Sequence, residues 1–164
     1  MKDSICPSGW VEIEVIKKDG TVIKRGGKNE IHDQLKEEMA KSMFQTEGNF
    51  NINFNLFDIA TFTTSIPNDK SGIIIKDTGG EKYQMATTMP GTAAKSFQVK
   101  GEVRNASGST ITISDAYLGH DTSSEAFGVQ YSSYDFSANG GDQAVTDGQQ
   151  LNITWSISIA DDAG

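Results

Sequence analysis

The chain has 164 residues and a mass of 17.7 kDa, enough for one domain that buries roughly 70% of the surface its unfolded form exposes. Its single cysteine, Cys6, excludes an internal disulfide and a thiolate zinc site built from this chain alone. The net charge of −8 is uneven: residues 1–104 balance 14 Lys and Arg against 14 acids, whereas residues 105–164 carry eight acids and no base, which argues against nucleic-acid binding through the C-terminal part, since phosphate contacts need Lys and Arg.

Residues 1–9 read as an arm, with Pro7 and Gly9 breaking any regular element. The segment has no apolar h-region, and no stretch of the chain nears the roughly 20 apolar residues that span a bilayer. A soluble protein made in a cytosol is therefore expected. "WVEIEVI" (10–16) alternates, with Val11, Ile13 and Val15 on one face. Asp19-Gly20 and "TVIKR" follow, a hairpin signal because Gly supplies the positive φ of a tight turn. One amphipathic helix is expected over about 29–45. Asn29 would cap it, and Ile31, Leu35, Met39 and Met43 fall on one stripe that Ala40 and Phe44 widen.

After Gly48 the signals are those of strands. "FNINFNLF" (50–57) alternates, and "IATFTT" (59–64) extends it. "GIIIK" (72–76), "KYQMATT" (82–88), "SFQVKGEVRN" (96–105), "STITISDAYLG" (109–119), "AFGVQYSS" (126–133), "QAVT" (143–146) and "LNITWSISIA" (151–160) follow. Gly101 inside one run points to a bulge or a close backbone approach. The last run puts Leu151, Ile153, Trp155, Ile157 and Ile159 on one face and Asn152, Thr154, Ser156 and Ser158 on the other. Strands at this spacing beside one helix predict a mainly β fold. It would be an antiparallel, jelly-roll-like β-sandwich, forming a single domain over 10–164.

Candidate sites are few. Lys17, Lys18, Lys24, Arg25 and Lys28 form a small basic group. Their simplest role is a solvated hairpin face; the sharper one is a head-to-tail contact with an acidic end of a neighbouring subunit. The uncharged row Asn152, Thr154, Ser156 and Ser158 is a second interface candidate, because eight acids and no bases lie nearby. Asp142, Asp147, Asp161 and Asp162 are weak calcium candidates, since that cation wants six to eight oxygens but no D-x-D-x-D-G run occurs. "GHDTSSE" (119–125) gathers His120, Asp121 and two serines, yet adjacency in sequence does not supply triad geometry. His32 is expected at the surface. Tyr117, Tyr131 and Tyr134 lie in or beside polar loops; core and edge packing of a β domain is their simpler role, and glycan stacking is the sharper one. Asn105-Ala106-Ser107 and Asn152-Ile153-Thr154 fit the N-glycosylation pattern, a chance match outside a secretory route. The glycine pairs match no nucleotide-binding pattern, so no cofactor is expected, and no catalytic residue is assigned.

The order of signals resembles a family. A hairpin leads to "KNEIHDQLKEEMAKSMF". Then come "SGIIIKDTG", "FQVKGEVRNASGSTITISDAYLG", "YSSYDFSA" and a closing "VTDGQQLNITWSISI". This is similar to small virion proteins of tailed bacteriophages, in which an "N-x-I" helix, a central strand ending in a Gly-Leu-like step and a "dG-x-x-L-x-I-x-W-x-I-x-I" strand recur. The central step here is Tyr117-Leu118-Gly119, a departure from that order. The resemblance implies a non-enzymatic structural part of a phage particle. Such a protein decorates, joins or stabilises capsid or tail. Its partners would be other virion proteins and itself, as a homo-oligomer, without nucleic acid or membrane. The alternative is a carbohydrate- or receptor-binding module of a fibre or tip, with a host glycan as partner.

Overall fold

The computed structural model describes residues 5–37, 60–62, 70–93, 96–121 and 129–161. Its elements are nearly all strands: β1 (Ile5–Ile16), β2 (Val22–Lys28), β3 (Glu30–Ile31), β4 (Ala60–Thr61), β5 (Lys70–Asp77), β6 (Lys82–Gln84), β7 (Ala86–Ala93), β8 (Ser96–Arg104), β9 (Ile111–Asp121), β10 (Val129–Asp135), β11 (Gln143–Val145) and β12 (Gln150–Asp161). They form two six-stranded sheets. The first runs β2-β1-β12-β8, with β7 and a short parallel β4 sharing the far edge of β8. The second runs β3-β10-β9-β5-β6, with β11 pairing the first residues of β9. The fold is mainly β and antiparallel, a β-sandwich.

Alternation decides which side chains lie between the sheets. In β1, Val11, Ile13 and Val15 are buried while Glu12 and Glu14 face outward. In β12, Leu151, Ile153, Trp155 and Ile157 are fully buried. They meet Ile73, Ile75, Ile113, Ala116 and Leu118 of the second sheet in one core cluster. Each such aliphatic side chain stabilises the fold by about 1.5–3 kcal/mol relative to exposure. Gly101 is the close approach, not a bulge. A Cβ there would stand 2.9 Å from Met85 Sδ and 3.1 Å from Ile73 Cδ1. The bulge in this pairing lies instead on β7, where Met89 and Pro90 stand against Val99 alone. Gly101→Ala is therefore expected to overpack the core and cost about 1–3 kcal/mol. Urea denaturation checks this, and an unchanged midpoint would contradict it.

Two expectations change here. The arm over 1–9 is strand from Ile5 onward, paired with Ile157–Asp161. Pro7 is tolerated because β2 pairs only with Trp10–Ile16, so around Pro7 the strand has β12 as its one partner among the described residues. The helix expected over 29–45 begins later, at residues 33–37, and Leu35 alone of its described stripe is fully buried. Glu30 and Ile31 pair with Ser133 and Ser132 instead. Residues 38–45, and the strand expected over 50–57, lie outside the described residues.

Asn29 is not a helix cap because it serves a tie between the sheets. Its Nδ2 donates to Ser132 Oγ at 2.7 Å, and Trp155 Nε1 donates to the same oxygen at 3.1 Å. Ser132 Oγ in turn donates to the Glu30 carbonyl at 2.6 Å. One hydroxyl thus joins β12, β10 and the crossing from β2 to β3. Asn105, also fully buried, ties the other end. Its Nδ2 donates to the carbonyls of Ser109 (2.8 Å) and Val145 (2.7 Å), and its Oδ1 accepts from Ser107 N (3.0 Å) and Ser107 Oγ (2.7 Å). The nitrogen that a glycan would need is committed to packing.

Candidate functional site

The basic group does not form one patch. Lys17 and Lys18 flank the hairpin turn, where Gly20 N–H donates to the Lys17 carbonyl at 3.0 Å. Lys24 lies on the outer face, 3.7 Å from Glu14 and 4.0 Å from Glu12. Arg25, one residue on, points to the opposite face. Its guanidinium sits 5.1 Å above the Phe136 ring and donates to the carbonyls of Phe136 and Gly141. Strand alternation separates the two cations, and Arg25 is spent on packing.

The uncharged row of β12 lies between charged neighbours. Asn152 faces Glu14 on one side and Glu102 on the other, and Thr154 faces Glu12 and Lys100. Lys100 and Glu102 pair at 3.1 Å. Asn152 is only 4% exposed, with Gln150 Nε2 donating to its Oδ1 at 2.8 Å. The absence of charge belongs to one strand and not to the sheet face. Small side chains in the middle let longer, ion-paired ones lean over them. Ser156 and Ser158 continue the row beyond the charges. Ser156 lies between Trp10 and Gln98 and accepts from Gln98 Nε2 at 3.2 Å.

The aromatic candidates divide. Tyr131 and Tyr134 are 3% and 1% exposed, so neither ring can receive a sugar. Alternation turns Tyr134 into the core, where it meets Phe136 edge-on at 5.1 Å, and Tyr131 is buried at the bulge between Gln130 and Ser132. Tyr117 is half-buried on the outer face of the second sheet, with Lys76 Nζ 6.0 Å from its ring centre. The hydrogen bond to Asp115 raises the Lys76 pKa.

The proposed calcium ligands are also dispersed. Asp147 accepts from Gly108 N at 2.9 Å near the start of β12, whereas Asp161 pairs with Ile5 at its far end. Twelve extended residues separate those ends by roughly 35 Å. Asp142 is exposed in the turn before β11, and Asp162 lies outside the described residues. Among the described residues, no three His, Cys, Asp or Glu side chains are grouped to hold a metal ion. His120 pairs through its backbone with Val129 and Ser71, and residues 122–128 lie outside the described ones. His32 is half-buried, its Nε2 2.9 Å from Ser133 Oγ.

The surface feature that stands out is Trp10, 51% exposed on the outer face. Its indole leans over Gly26, where a Cβ would meet Trp10 Nε1 at 3.1 Å and the Val11 carbonyl at 2.7 Å. A side chain at position 26 would displace the ring. Trp10 borders a groove of about 540 Å³ whose other walls include Ser8, Lys28, Asn29, Lys36, Ser156 and Ser158. No protein-family model, curated protein or solved structure matches this chain. Sequence reasoning assigned Trp10 no role, yet one signal was present. It shares its strand phase with Glu12 and Glu14, so a large apolar ring stands on the polar face.

Among the described residues, Tyr83 carries the largest shift of a titrating group. Burial, and then a hydrogen bond from its hydroxyl to Asp77 Oδ2 at 2.8 Å, push its pKa up to about 12. The neutral phenol is the form the fold favours. Its contribution to stability is therefore complete below the unfolded phenol pKa of about 10 and is lost as pH rises towards 12. Absorbance titration should show a late phenol step that Tyr83→Phe removes. Titration of every phenol near 10 would contradict this.

Proposed function

We propose that this chain is a non-enzymatic structural protein of a tailed-bacteriophage particle, acting through contacts with other virion proteins and with copies of itself. The observation that carries the reading is the placement of exposed apolar side chains. Among the described residues, the large ones are Trp10, Val22 and Ile23, and all three lie on the β1–β2 hairpin. Val22 and Ile23 are 43% and 48% exposed on the outermost strand of their sheet. They present apolar surface on both sides of an edge, the kind of feature that invites pairing with another chain. The β-sandwich and the order of sequence signals, which resembles that of phage virion proteins, support the same reading.

Light scattering on the purified chain tests the assembly half. A homo-oligomer is expected, and Val22→Lys combined with Ile23→Lys should dissociate it. A wild-type chain that stays monomeric over a hundredfold concentration range (about 2.7 kcal/mol of mass action) would sink this half. The second reading, a glycan-binding module, is favoured by Trp10.

A further inference from the structure

The groove beside Trp10 adds to that exposed ring features that the assembly reading does not use. The exposed part of the indole offers a flat apolar plate, held by contact with Gly26. Sheet register sets its neighbours. Lys28 lies directly opposite Trp10 on one side and Ser156 directly opposite on the other. In the next row, Ser8 pairs with Ser158, and Ser158 with Ser96. The plate is thus continued by a field of hydroxyls. The described lining residues include two lysines, Lys28 and Lys36, and no acid, on a chain with a net charge of −8. Lys36 is paired with the exposed Asp33 at 2.9 Å, so Lys28 is the cation next to the plate.

We propose that this groove binds a glycan whose sugars carry carboxylates, with one pyranose stacked on Trp10 and its carboxylate directed towards Lys28. A sugar ring has an apolar face of C–H groups and a rim of hydroxyls. It therefore suits a single aromatic plate bordered by Ser hydroxyls. A peptide anchor would instead want a deeper pocket with apolar walls. The basic rim selects charge: a carboxylate gains from Lys28, whereas a neutral sugar has only the plate and the hydroxyls. This site is distinct from the buried Tyr131 and Tyr134, and it does not depend on the chain being a virion protein.

The two tryptophans make the test direct. Trp155 is fully buried and Trp10 is half exposed, so iodide reaches Trp10 alone. A short oligogalacturonate is titrated against the full chain while iodide quenching is followed. A neutral cello-oligosaccharide of the same length is the comparison. Protection of Trp10 by the acidic sugar is expected, with affinity for the neutral one at least about tenfold weaker. By calorimetry, Trp10→Ala should remove binding while leaving the circular dichroism unchanged. Lys28→Gln should weaken the acidic sugar by about tenfold and leave the neutral one unmoved. Equal binding of both sugars, or wild-type affinity in Trp10→Ala, overturns the proposal. So does absence of binding by either sugar, including the case where Trp10→Ala instead lowers the oligomeric mass, which would make the ring a contact between copies.

Discussion

Replacing Trp155 with Ala is expected to destabilise the protein by about 3–5 kcal/mol, a large part of the stability of a domain this size. The side chain is fully buried in the middle of β12, flanked by Val11 of β1 and Val99 of β8, so no neighbouring strand can collapse into the space without breaking register. Its loss also removes a donor from Ser132. Trp155→Phe isolates that second effect, keeping most of the volume and costing about 1–2 kcal/mol. Ser132→Ala should be worse than Trp155→Phe, because it leaves Trp155 Nε1 and Asn29 Nδ2 without an acceptor and the Glu30 carbonyl without its donor. The pair should be non-additive in a double-mutant cycle, since both changes act on one hydroxyl. A cost below about 1 kcal/mol for Trp155→Ala would mean that the sheets are not clamped there.

Asn105→Ala is expected to cost about 2–4 kcal/mol. The residue is fully buried, and its carboxamide satisfies two carbonyls and the Ser107 N–H. Its backbone is bound as well: its N–H donates to Gln149 O at 2.8 Å, and its carbonyl accepts from Gly148 N at 2.7 Å. Two of the connections that carry the chain between the sheets, β8 to β9 and β11 to β12, are fastened to this one residue. Asn105→Asp sharpens the test. A carboxylate would face the carbonyls of Ser109 and Val145, so the ionised form is disfavoured and its folded pKa lies above the usual carboxylate value. That variant should be closest to wild type in acid and lose stability as pH rises past the usual carboxylate range. Denaturant midpoints measured across pH read both effects. An Asn105→Asp variant as stable as wild type at neutral pH would contradict the assignment.

The strands were legible because their signal is local. Alternation located β1, β8 and β12, and it placed Trp155 in the core, while a run of β-branched residues located β5. Asp19-Gly20 gave the hairpin for the same reason. The errors arose where the deciding partner is far away in sequence. Glu30 and Ile31 carry helical spacing with Leu35, but Ser132 and Ser133, about a hundred residues on, take their backbone groups into a strand pair. Asn29 resembles a cap, yet its amide serves the same distant hydroxyl. The surroundings of the uncharged row of β12 were hidden for a related reason. The residues beside it in sequence are acids, whereas the residues beside it in space, Glu12, Glu14, Lys100 and Glu102, were not adjacent until the register was known. Tyr131 and Tyr134 carried two readings, sugar stacking beside loops and packing in the core, and burial decides for the core, with a bulge in β10 that puts both on the inner side. Trp10 was overlooked although its phase was readable.

The central proposal is that this β-sandwich works as a component of a phage particle. Quantitative mass spectrometry of phage particles purified from the source of the gene tests this most directly. The account predicts the chain in the particles at a fixed number of copies relative to another virion protein, retained through high-salt washing. Its absence from purified particles, with the protein abundant in the infected cell, would contradict the account.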